Sequence, residues 1–228
     1  FEILNNVKNM PLIMKKLGLI QFFSWFSFFT MWSMANPALT EHIFLSPAPV
    51  QSEYDFNSDE GQNMFIKANK KFQEASNSVG SYMGIYGLSS MVFALILVFF
   101  TSKMRVNRKL IHMFSLISGG IGFLLMYFIP ISNILLLSFI LIGISWGSIL
   151  SMPYAMLSSS VDENKMGIMM GIFNMFIVLP QISAALGGIN FLSNLFGSSA
   201  IFSMVVAGIC LIIAGLCNLL INEKKAIH

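Results

Sequence analysis

The side chains in this sequence best suited to recognising a ligand are aromatic rings and neutral amides, set at helical spacing inside apolar runs. Gln21, Trp25, Phe28, Trp32 and Asn36 advance by four, three, four and four residues and so share one helix face. Trp146 lies seven residues before Pro153, with Tyr154 adjacent, and Asn174 lies seven before Gln181, with Val178 on the same face. Pro180 has no N–H and frees a carbonyl beside Gln181. Aromatic rings stack on the apolar face of a sugar, and amides offer donors and acceptors to its hydroxyls. Trp25, Trp32, Asn36, Trp146, Tyr154, Asn174 and Gln181 are therefore candidate binding residues for a neutral, polyhydroxylated substrate. The same residue types also serve as packing, because aromatics fill cores and amides hydrogen-bond between apolar helices for roughly 1 kcal/mol each.

Such residues need spans to position them. The 228 residues are 56% hydrophobic and 10% charged, with a mean hydropathy of +0.75. A soluble domain carries roughly 25% charged residues. The chain reads as an integral membrane protein with lipid as its main surrounding. Six runs are long enough to cross a bilayer: 17–40, 79–101, 110–129, 134–157, 166–192 and a sixth ending near 221. The expected fold is all-α, a six-helix transmembrane domain over 17–228. Residues 1–16 place Ile3, Leu4, Val7, Met10 and Met14 among Lys8, Lys15 and Lys16, a basic amphipathic segment or a plain linker. Residues 41–78 form the long polar loop, with a short helix starting near Ser58 and acids at Asp59 and Glu60 in its first turn. Pro37 is expected to kink or open the first span. Gly143 and Gly147, and likewise Gly167 and Gly171, lie four apart and are expected to be helix-packing faces.

Six spans put both termini on one side. Ten of the 13 Lys and Arg fall in segments 1–16, 102–109, 158–165 and 222–228, and the opposite loops hold Lys67, Lys70 and Lys71. Cationic loops stay in the cytoplasm, so both termini are expected on the cytoplasmic face of the cell membrane, with 41–78 external. Lys103, Arg105, Arg108 and Lys109 make the densest basic segment. No basic face interleaved with aromatics is present, so a nucleic-acid partner is not expected. The acids fall at ends or in loops, and His42, His112 and His228 lie near span boundaries, His112 reading as interfacial. Without a nucleophile–base constellation an enzyme is not expected, and no motif calls for a metal or cofactor. Cys210 and Cys217, seven apart on one helix face, read as unbridged packing thiols. The chain opens on Phe1 without a continuous apolar leader and reads as part of a longer protein.

On particular stretches the chain resembles the C-terminal half of a major facilitator superfamily transporter. SKMRVNRKL (102–110) is similar to that superfamily's basic loop between the second and third span of a six-helix half. Arg105, Arg108 and Lys109 match basic positions of the motif, while its Asp and Gly are absent. FFSWFSFFTMW (22–32), GISWGSILSMPYAMLS (143–158) and MGIMMGIFNMFIVLPQI (166–182) resemble the seventh, tenth and eleventh spans of sucrose- and maltose-type sugar–cation symporters. The resemblance implies two inverted three-helix repeats, a missing N-terminal half as partner, and a sugar held between the halves. It also implies a proton as coupling ion, with the coupling acid in the other half and Glu41 the nearest acid here. Two alternatives stay open: a carrier of another substrate, such as a drug or lipid exporter, and a self-contained six-span protein that dimerises or binds a partner.

Overall fold

The computed structural model describes residues 10–161 and 163–221. Residues 1–9 of the amphipathic segment, Asp162 and the closing segment 222–228 lie outside it, as does the side chain of Glu163. The described residues are mainly helical, and the longest connection runs over 43–58. α1 spans Leu12–His42, α2 Asp59–Lys103, α3 Arg108–Phe128 and α4 Ser132–Ser158. α5 spans Met166–Ser183, α6 Ile189–Asn194 and α7 Phe202–Cys217. α5 and α6 together make the fifth span, and α7 with the turn Asn218–Leu220 makes the sixth. Six helical segments are long and apolar enough to cross a membrane.

Local chemistry sets several ends. Ser58 caps α2 by accepting from the Gly61 N–H at 3.1 Å, and Asp59 and Glu60 occupy the first turn, where the helix dipole favours acids. Asn107 caps α3 in the same way, accepting from the Leu110 N–H at 3.0 Å. Pro37 does not end α1, which continues to His42.

Three expectations change. The segment after Ser58 is not a short separate helix. It is the first part of α2, whose 45 residues would extend roughly 67 Å at 1.5 Å per residue, about twice a hydrocarbon core. No proline interrupts the chain between Pro49 and Pro130, so nothing stops that helix. Residues 12–16 are not a surface segment apart from the first span but its opening turns. The fifth span is broken at Ala184–Gly188, where the backbone widens into a π turn and Gly187 takes φ +109°.

The spans pair in a pattern with its own symmetry. The main pairings are α3 with α4, α1 with α7, α2 with α4, α1 with α5, and α3 with α7. Exchanging spans one, two and three for four, five and six leaves that set unchanged, as two three-helix repeats related by a two-fold axis require. α3 and α7 cross near that axis. A Cβ on Gly120 would stand 2.8 Å from the Gly208 carbonyl, and one on Gly208 would stand 2.9 Å from the Gly120 carbonyl. The crossing brings two backbones into contact, as small residues permit in a membrane. The α1–α7 seam carries a hydrogen bond from Ser27 Oγ to the Ala207 carbonyl at 2.7 Å. Burial is uneven. Half or more of the apolar stretch is buried in α1, α3, α4 and the sixth span, but only 11% in α2 and 28% in the fifth span.

Candidate functional site

α1 and α4 meet through four aromatic rings. Trp146 lies 5.3 Å from Trp25, 5.3 Å from Trp32 and 4.8 Å from Phe28, centroid to centroid, and Trp25 lies 6.2 Å from Trp32. Most of these pairs meet edge to face, the arrangement that ring quadrupoles favour. Trp32 remains 39% exposed, and its Nε1 donates to the Tyr86 hydroxyl of α2 at 3.2 Å. The helical spacing of the stripe thus brings Trp25 and Trp32 onto Trp146. Asn36, at the outer end of the stripe, is exposed.

A second group lies toward the other end of α4. The Tyr154 hydroxyl donates to Asn174 Oδ1 at 3.4 Å, and its ring meets Phe173 edge-on at 5.6 Å. Asn174 is exposed and Gln181 half-buried, seven residues further along the same helix. α5 leans on α1 at Gly18, where a Cβ would stand 2.8 Å from the Phe176 ring. The seven candidate residues therefore fall into two groups, Trp25, Trp32 and Trp146 in one and Tyr154 and Asn174 in the other, with Asn36 and Gln181 outside both.

One residue of the stripe carries a stronger signal than spacing gave it. Gln21 is fully buried, and neither its Nε2 nor its Oε1 has a hydrogen-bond partner among the described residues. Trp25 Nε1, one turn away, is also buried and unpartnered. A buried primary amide left without a partner typically costs about 1–3 kcal/mol. The sequence places a glutamine there, but only the neighbouring helices reveal that no described side chain or backbone group satisfies it.

The basic loop behaves as a set of helix caps. Arg108 Nη1 donates to the Ala155 carbonyl in the last turn of α4 at 3.0 Å. Lys109 Nζ donates to the carbonyls of Ile221 at 2.6 Å and Leu219 at 3.3 Å, and Lys16 Nζ donates to Leu220 at 2.6 Å. These carbonyls lie at the last turns of their helices, and cations suit the negative end of the dipole. Lys103 Nζ lies 3.9 Å over the Phe99 ring, and Arg105 is exposed. Changing Lys16 and Lys109 together to Met should lower stability by about 2 kcal/mol, from two charged caps. Thermal unfolding of the purified protein checks this, and an unchanged midpoint would mean that the lysines cap nothing.

The glycine faces part company. Gly143 packs under the Tyr86 carbonyl and Ser89, whose Oγ donates to the Ile140 carbonyl at 2.8 Å, and Gly147 packs against Ser90 and Phe93. Gly167 and Gly171 have no atom within 4 Å of where a Cβ would stand, so among the described residues nothing packs on that face of α5. His112, one turn from the start of α3, is fully buried, its Nδ1 2.8 Å from Ser148 Oγ, because α3 presents it to the serine-rich side of α4. Glu41 is exposed and accepts from Ser199 Oγ at 3.2 Å. No described acid is buried in a span.

Six spans in a two-fold packing pattern, with polar and aromatic residues gathered on α1, α4 and α5, define a multi-pass helical membrane protein built from two repeats. A profile of the Major Facilitator Superfamily matches residues 17–226. The chain belongs to that superfamily and is a membrane transporter rather than an enzyme. A search of curated protein sequences returned no match.

Proposed function

We propose that this chain is the C-terminal six-span half of a secondary transporter that imports a neutral sugar or oligosaccharide, of maltose or sucrose type, by alternating access. The observation that carries this reading is the gathering of Trp25, Trp32 and Trp146 into one partly exposed aromatic wall, with the Tyr154–Asn174 pair further along α4. Rings provide stacking platforms for a sugar, and Tyr154 and Asn174 offer its hydroxyls both donors and acceptors. The wall is open on one side, which suits a site completed by an N-terminal half. The poorly covered α2 and fifth span, which the repeat exchanges, would be the faces on which that half rocks. Both termini lie in the cytoplasm by the charge bias of the loops. The coupling ion is a proton, and its carboxylate resides in the N-terminal half.

Uptake of labelled maltose and sucrose by cells expressing the full-length protein tests this. Asn174→Leu and Gln181→Leu should each lower uptake at least tenfold with surface expression unchanged. Normal uptake in both variants would remove these residues from the site. One observation favours a different cargo: Met175 and Val178, beside Asn174 on α5, are 44% and 51% exposed, a surface that also suits a greasy ligand. Competition by hydrophobic cations but not by sugars would select that reading.

A further inference from the structure

α2 and α3 are consecutive spans joined by a short loop, yet they do not pack on each other. α4 holds both instead, through the α2–α4 and α3–α4 pairings. The gap between them is a groove of about 590 Å³, lined by Phe93 of α2, Val106 of the loop, Leu110, Phe114 and Ser118 of α3, and Ile144 of α4 at its back. Its walls are overwhelmingly apolar, and Phe114 is 63% exposed at its edge. From Leu110 to Ser118 the groove runs about 12 Å along α3, close to the depth of one leaflet, about 15 Å. Its mouth is the basic loop. Lys103 and Arg105 are exposed there, and the N-terminus of α3 turns its positive dipole end toward the same place. The adjoining turn adds Lys165, which is exposed, to this end of the bundle.

We propose that this groove binds one anionic phospholipid, an acyl chain lying along α3 between Phe93 and Phe114 and the phosphate resting on Lys103 and Arg105. Charge complementarity selects the occupant. A zwitterionic lipid fills the groove equally well but gains little from the loop, whereas clustered cations beside a span attract anionic headgroups. The site is separate from the aromatic wall of α1 and α4 and does not depend on which substrate is carried.

The test uses the purified full-length protein, reconstituted in nanodiscs of phosphatidylglycerol and phosphatidylcholine in equal amounts, then released and weighed by native mass spectrometry. The wild type should retain phosphatidylglycerol at least tenfold over phosphatidylcholine. Lys103→Ala with Arg105→Ala should bring that preference below twofold. Ser118→Phe should fill the groove and lose the bound lipid with the charges intact. Phe114→Gln, at an exposed edge, is a second groove variant expected to weaken retention if Ser118→Phe does not fold. Equal retention of the two lipids by the wild type would overturn the proposal. So would loss of phosphatidylglycerol in the charge variant together with full retention in the groove variants, because headgroups would then bind the loop alone.

Discussion

Gln21→Leu should give a more stable protein that transports about tenfold more slowly. The amide is fully enclosed with both polar atoms unpartnered, whereas leucine fills a similar volume with nothing to satisfy. Removing the unpartnered amide should gain about 1–3 kcal/mol, read as a higher unfolding temperature in detergent. Such a cost persists in a transporter when the amide finds its partner at another stage of the cycle. Gln21 lies one turn from Trp25 and next to the α1–α5 contact at Gly18, where a substrate hydroxyl or a water can reach it once the helices part. Loss of that hydrogen bond, worth about 1.4 kcal/mol, lowers uptake about tenfold. Gln21→Ala, which leaves a cavity, separates the effects: it should also lose uptake but be less stable than the leucine variant. A stabilised leucine variant with full uptake would make Gln21 a defect of packing and nothing more.

Gly208→Val should leave little folded protein. Its Cβ would meet the Gly120 carbonyl and the Leu124 side chain at 2.9–3.1 Å, and neither backbone at the α3–α7 crossing can retreat without opening the pairing of the two repeats. Overpacking of this kind costs about 1–3 kcal/mol. The check is the monodisperse fraction after extraction in mild detergent, expected to fall several-fold. Gly171→Val is the contrast. Nothing stands within 4 Å, so in the six-span chain alone the substitution should be silent. In the full-length protein a loss at Gly171 would locate the surface that another half covers, and a silent result would leave that face to lipid.

The spans and the aromatic wall were legible because both rest on periodicity. Apolar runs of about 20 residues announce helices, and steps of three and four place Trp25 and Trp32 on one face. That Trp146 completes the wall follows from how α4 crosses α1, and no local pattern contains this. The continuity of α2 was hidden because residues 59–78 are polar, and polarity reads as loop even where no proline or glycine pair breaks a helix. The break at Ala184–Gly188 had a visible signal in the adjacent Gly187 and Gly188, which could have divided the fifth span. Gly167 and Gly171 form a small-residue face, which marks close packing without naming the partner, and the described residues do not supply one. His112 and Gln21 were visible as residue types, but burial and a missing partner are properties of neighbours.

The outer part of α2 has a mechanical consequence. Residues 59–78 continue a span as one unbroken rod about 30 Å beyond its apolar stretch, with Tyr54 and Phe56 folded back onto Phe65 near the tip. The tip therefore sits about 45 Å from the middle of the bilayer, and a 10° tilt of the bundle swings it roughly 8 Å. The rod is a lever arm that multiplies small angular motions into displacements large enough to read by distance. A spin label or dye at Gln62, set against one on a fixed position at the same face of the membrane, would follow each turnover without touching the aromatic wall.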